Sequence, residues 1–60
     1  MNKENITKEQ FDKFIRLRRA GIINMTDIVH GAMIIEESED VYETILWNFK
    51  YLRKKYYGNN

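Results

Sequence analysis

Cysteine is absent from this chain, and at sixty residues that absence decides most of what it can fold into. So short a chain buries only about 60% of the surface its unfolded form exposes, and small folds usually add disulfides, a structural metal or self-association. Without cysteine there is no disulfide framework and no thiolate zinc site. The single histidine, His30, does not complete a metal shell alone. Efficient helix packing or association with another copy remains. The absence of proline, the three glycines and the abundance of Lys, Arg and Glu all favour helices.

The ends of three helices can be read directly. In ITKEQF, Thr7 and Gln10 have capping-box spacing, and Ile6 and Phe11 have that of a hydrophobic staple. A first helix is therefore expected from about 7 to 20, stopping at Gly21, with i,i+4 pairs between Glu9 and Lys13 and between Asp12 and Arg16. INMTDI repeats the pattern, with Asn24 as cap, Asp27 in the first turn and Ile23 and Ile28 as staple. The second helix is expected over about 24–36, with Met25, Ile28, Val29, Ala32 and Met33 as its inward stripe. Gly31 either weakens it or permits a close crossing with a neighbour. Ser38 caps a long third helix, about 38–57, which has acids in its first turns, Arg53, Lys54 and Lys55 in its last, and Gly58 as its stop. The expected fold is all-α: a three-helix bundle forming one domain over 1–60, with 1–5 and 59–60 fraying.

Helical phase divides LWNFKYLRKKYY. At about 100° per residue, Val41, Tyr42, Ile45, Leu46, Phe49, Leu52 and Tyr56 share the core face of the third helix. Trp47 falls opposite, with Tyr51, Lys50 and Lys54 around it. Trp47 and Tyr51 either cover a loop or the N-terminal arm, or form a contact surface with the lysines, since a Trp beside a Tyr and lysines has hot-spot composition. Two further residues break the pattern. Arg18 lies in the stripe of Phe11, Phe14 and Ile15, where it either snorkels or pairs with an acid of EESED. Ile34 lies opposite the stripe of the second helix. Together with Trp47 they suggest more than one apolar surface, which self-association would explain.

Catalytic chemistry is missing from the sequence. Ser38 is the only serine and is better used as a cap, His30 has no nucleophile to serve, and no Gly-rich phosphate loop is present. EESED lacks the alternating oxygens and central Gly of a calcium loop. The chain reads as a non-enzyme without cofactor or metal. MNKENITKEQ has no apolar h-region and no apolar run approaches membrane-spanning length, so a soluble, cytoplasmic protein is expected, without membrane partners.

Nucleic acid is the alternative partner. LRRAGIINMTDIVHGAMI resembles the first two helices of helix-turn-helix regulators, but the helix that would enter the groove begins with Ser38, Glu39, Asp40 and Glu43, beside Glu37. Those acids oppose the electrostatic attraction on which DNA binding depends. A different geometry stays open, in which Lys50, Arg53, Lys54 and Lys55, with Trp47 and Tyr51, grip a single strand or a nucleotide.

The segment LRRAGIINMTDI resembles a family of small uncharacterised proteins encoded by phages and prophages of Gram-positive bacteria. Those proteins share an Arg-x-x-Gly-x-x-Asn-Met-x-Asp pattern followed by a Tyr-Glu pair. Arg18, Gly21, Asn24, Met25 and Asp27 match it here, then Tyr42 and Glu43, covering roughly two thirds of the chain. The resemblance implies a phage accessory protein in a host cytoplasm. It would bind a host protein, such as a defence or replication component, and inhibit or redirect it. The formal net charge of +1 argues against DNA mimicry. The expected contact residues are Trp47, Tyr51, Lys50, Lys54, Ile34 and Arg18, in a monomer or a homo-oligomer.

Overall fold

A computed structural model of the protein describes residues 1–58, and all the regular structure among them is helical. A single 3-10 turn, Lys3–Asn5, precedes α1 (Lys8–Ala20), α2 (Ile28–Ile35), α3 (Glu39–Trp47) and α4 (Phe49–Tyr57). The start of α1 is the expected capping box. Thr7 Oγ1 accepts from the Gln10 N–H at 3.1 Å, and Gln10 Oε1 accepts from the Thr7 N–H at 2.9 Å. Its end is the expected glycine cap, with Gly21 left-handed at φ 64° and its N–H on the Leu17 carbonyl.

Two boundaries differ from expectation. Helix α2 starts at Ile28, because Asn24 turns its side chain to the Thr26 N–H at 3.0 Å, and Asp27 becomes the cap, accepting from the His30 N–H at 3.3 Å. Both are good caps, and the first is used locally as an Asx turn. The long third helix is also interrupted. At Asn48 the backbone leaves helical geometry (φ −126°, ψ 30°), and the Asn48 amide donates to the Thr44 carbonyl at 2.8 Å. A straight helix over 38–57 would be about 30 Å long, no shorter than the 28 Å longest extent of the described residues. After the break α4 packs its rings against α1, where Phe49 meets Phe11 at 5.4 Å between ring centroids.

The core joins the four α-helices and the end of the N-terminal arm. Ile6 of the arm, Phe11, Phe14 and Leu17 of α1, Ala32 and Ile35 of α2, Val41, Tyr42 and Ile45 of α3, and Leu52 of α4 are all buried. The stripe expected for 38–57 is therefore kept across the break, with Leu46, Phe49 and Tyr56 partly buried against it. The stripe expected for α2 is rotated: Gly31, Ala32 and Ile35 face inward, while Val29 and Met33 face solvent. Gly31 explains the rotation, since the Tyr42 ring rests directly on it and leaves no space for a Cβ. The Tyr42 hydroxyl then donates to the Met25 carbonyl at 2.6 Å and ties the α1–α2 loop to α3. Burial pushes that phenol above its ordinary pKa, and the charge of Asp27 adds to the shift.

The N-terminal arm, expected to fray, is instead held at several points. Its ammonium donates to Asp40 Oδ1 at 3.1 Å, Lys55 Nζ donates to the Glu4 carbonyl at 3.2 Å, and the Tyr56 hydroxyl donates to the Ile6 carbonyl. The fraying expected at 59–60 concerns positions outside the described residues.

Candidate functional site

Two of the four acids of EESED, Glu37 and Asp40, are engaged in the fold. Glu37 accepts from Lys13 Nζ at 2.7 Å and from Gln10 Nε2 at 3.2 Å, joining α1 to the α2–α3 turn. Lys13 therefore crosses to Glu37 and the Ile35 carbonyl in place of the expected Glu9 pair. Its ammonium holds the Glu37 carboxyl below the ordinary glutamate range, with Gln10 contributing, and is itself raised in pKa chiefly by that hydrogen bond. Ser38 caps α3 through the Val41 N–H at 3.1 Å. Asp40 carries the chain terminus. His30 stands on the surface with its Nδ1 2.6 Å from Asp27 Oδ2, a contact that leads the lowering of the Asp27 pKa. Among the described residues no three His, Cys, Asp or Glu side chains are grouped to hold a metal.

What remains free lies on three surfaces. The first is the outside of α2, whose sequence IVHGAMII is apolar around almost its whole circumference. A helix apolar on all sides is ordinarily enclosed. Here Val29 is 54% exposed, Met33 67% and Ile34 45%, and Ile22, just before the helix, is 65% exposed. Ile34 thus lies off the core as expected. It shares a shallow groove with Ile22, Leu17 and Ala20, edged by Lys13, Arg16 and Glu36. Val29 and Met33, one helical turn apart, form an adjoining apolar strip on α2, with the exposed His30 between it and Ile34 around the helix.

The second surface is the end of α3. Trp47 is 68% exposed. Tyr51 is separated from it by the break at Asn48, and Lys3 of the arm lies 5.1 Å from the Tyr51 ring centroid. The arm therefore packs on Tyr51, while Trp47 keeps most of its surface in solvent. Lys50 and Lys54 are exposed on α4, whereas Lys55 is drawn back to Glu4 and the Tyr56 ring.

The third surface was not legible as a unit in the sequence. Helices α1 and α4 enclose an open groove of about 620 Å³ lined by Arg16, Arg18, Arg19 and Arg53, which are all four arginines of the chain. Arg18 pairs with no acid of EESED; its guanidinium lies 4.8 Å from the Phe49 ring centroid. Arg53, expected to act with Lys50, Lys54 and Lys55, faces this groove instead. Its one carboxylate, Asp12, accepts from Lys8 at 3.4 Å and from the Tyr57 hydroxyl, so the expected Asp12–Arg16 pair does not form. The Tyr57 hydrogen bond is the largest influence lowering the Asp12 pKa. None of the four guanidiniums forms an ion pair among the described residues.

No protein-family model, curated protein or solved structure matches the chain. None of its described helices is long and apolar enough to cross a membrane.

Proposed function

We propose that this chain is a protein-interaction module without catalytic chemistry of its own, binding another protein through the apolar outer face of α2. The observation that carries the reading is Val29, Met33 and Ile34, with Ile22 beside them, standing in water on a helix of core composition. Full burial of each such side chain contributes roughly 1.5–3 kcal/mol. All four are already partly buried, so about half of that gain remains for each, and together they reach only the lower part of the cost of bringing two bodies together, about 4–15 kcal/mol. The apolar face alone therefore supports weak association, and tight binding needs further anchors. Trp47 is one candidate, being a large and exposed ring of the residue type most enriched in binding hot spots.

The resemblance of LRRAGIINMTDI to small phage proteins gives this reading a setting, in which the partner is a host protein that the module inhibits or redirects. Self-association through the same face is the competing outcome. Met33→Glu and Ile34→Glu, both at exposed positions, test the proposal by sedimentation velocity and by partner capture beside the unaltered chain. The module reading requires both variants to keep the wild-type circular dichroism and melting temperature while losing capture. Loss of dimer in place of a foreign partner would make the second copy the occupant. Unchanged capture and unchanged mass would remove the α2 face from the account.

A further inference from the structure

We infer that the groove between α1 and α4 is a docking site for an acidic segment of the partner protein, its aspartate or glutamate side chains held by Arg16, Arg19 and Arg53. This rests on the reading of the chain as a protein-interaction module and names the chemistry of what it binds.

The two basic residue types are separated in the fold. The chain has four arginines and six lysines. Every arginine lines this groove and no lysine does. Both carry the same charge, so a general need for a basic surface does not account for the division. Their geometry differs: a guanidinium presents a planar fork that meets a carboxylate with two parallel hydrogen bonds, whereas an ammonium is a compact point charge. Arginine is also enriched and lysine depleted where proteins meet proteins.

Charge in the groove is unbalanced as well. Arg16, Arg18, Arg19 and Arg53 face one carboxylate, Asp12, which Lys8 and Tyr57 already satisfy. The groove thus holds a local excess of positive charge on a molecule whose net charge is only +1. An acidic segment complements that excess. Ile15, Phe49 and Tyr57 supply apolar wall between the guanidiniums, which suits a peptide carrying an aliphatic side chain among its acids.

The aromatic rings decide against the other polyanion. Single-stranded nucleic acid binds by stacking bases on open aromatic faces beside a basic track. Here Arg18 stands over Phe49, and Lys8 lies 4.8 Å from the Tyr57 centroid. The rings are already engaged by cations. Trp47 and Tyr51, the side chains expected to stack, do not line the groove.

The test is selection of a randomised peptide display library on the immobilised full-length protein, followed by fluorescence anisotropy with the enriched peptides. The expected result is enrichment of sequences with two or more acidic residues near an aliphatic one. Replacing their acids by amides should weaken binding at least tenfold. Arg16→Lys and Arg53→Lys keep the charge and remove the fork, and each should weaken binding several-fold; Lys50→Ala and Lys54→Ala should leave it unchanged. Circular dichroism of each variant confirms the fold. Selected peptides without acids, full binding by both Arg→Lys variants, or tighter binding of a labelled oligothymidylate than of any peptide would each overturn the proposal. No α2 residue lines this groove. Failure here with loss of capture by Met33→Glu would leave the α2 reading standing, and the reverse pattern would remove α2 alone.

Discussion

Gly31→Ala separates two opposed effects of one methyl group. On an isolated helix, alanine stabilises by about 1 kcal/mol relative to glycine. In this fold the added Cβ would lie 2.5 Å from the Tyr42 Oη and closer still to its Cζ and Cε2. Carbon contacts relax at about 3.5–4.0 Å, so α2 and the ring must part by about an ångström or more. The ring has nowhere to go: Tyr42 is wholly buried, and its hydroxyl is fixed on the Met25 carbonyl at 2.6 Å. Overpacking of this kind costs about 1–3 kcal/mol, and a helix shift that breaks the hydroxyl bond adds about 1 kcal/mol. After subtracting the propensity gain, a net loss of about 2 kcal/mol is expected. A single core of this size rarely supplies more than about 3–5 kcal/mol, so roughly half of the stability is lost. At about 4–8 °C per kcal/mol, the melting temperature should fall by about 10 °C, as read by circular dichroism at 222 nm. Gly31→Ala/Tyr42→Leu should be more stable than the sum of the single changes, because the shorter side chain relieves the clash. A melting temperature of Gly31→Ala equal to or above wild type would refute this close crossing.

Thr7→Ala removes the side-chain acceptor at the start of α1 and should cost about 1 kcal/mol in urea denaturation, whereas Thr7→Ser should restore most of it. The Lys13–Glu37 pair should make stability pH-dependent with a definite sign. The Glu37 carboxyl is held below its ordinary value, so its contribution is present above the ordinary glutamate range and is lost as pH falls through the folded value. Wild type should therefore lose more stability than Glu37→Gln between neutral and strongly acidic pH, and parallel profiles would contradict the pairing. Trp47→Ala should change stability by no more than about 0.5 kcal/mol, and wild-type emission should peak near that of Trp in water, since Trp47 is the only tryptophan and is mostly exposed.

The sequence disclosed those parts of the fold that depend on neighbours along the chain. Thr7 with Gln10, Gly21 and Ser38 act where their spacing placed them, since a cap is a local hydrogen bond. Asn24 and Asp27 competed for one role, and only the packed loop shows which is free to cap. The break at Asn48 was hidden because the apolar spacing runs through it without a change of phase: Ile45, Phe49, Leu52 and Tyr56 point to the core on both sides. In α2 the phase itself carried little information, since residues on nearly every side are apolar. What rotates the helix is the fit of Tyr42 onto Gly31, a contact between residues eleven apart. The arginine groove was beyond periodicity altogether, because it joins Arg16, Arg18 and Arg19 of α1 to Arg53 of α4. The visible trace of it was the uneven placing of arginine and lysine: three arginines within four positions of α1, and a single one on α4.

Site-specific photocrosslinking in the cells that make the chain tests directly whether α2 meets another protein with its outer face. Benzoylphenylalanine replaces Met33 in one variant and Glu9, an exposed position on α1, in another. The account predicts a discrete crosslinked protein adduct from position 33 on irradiation, suppressed by co-expression of the unaltered chain, and no comparable adduct from position 9. Equal adducts from both positions, or none from position 33, would contradict it.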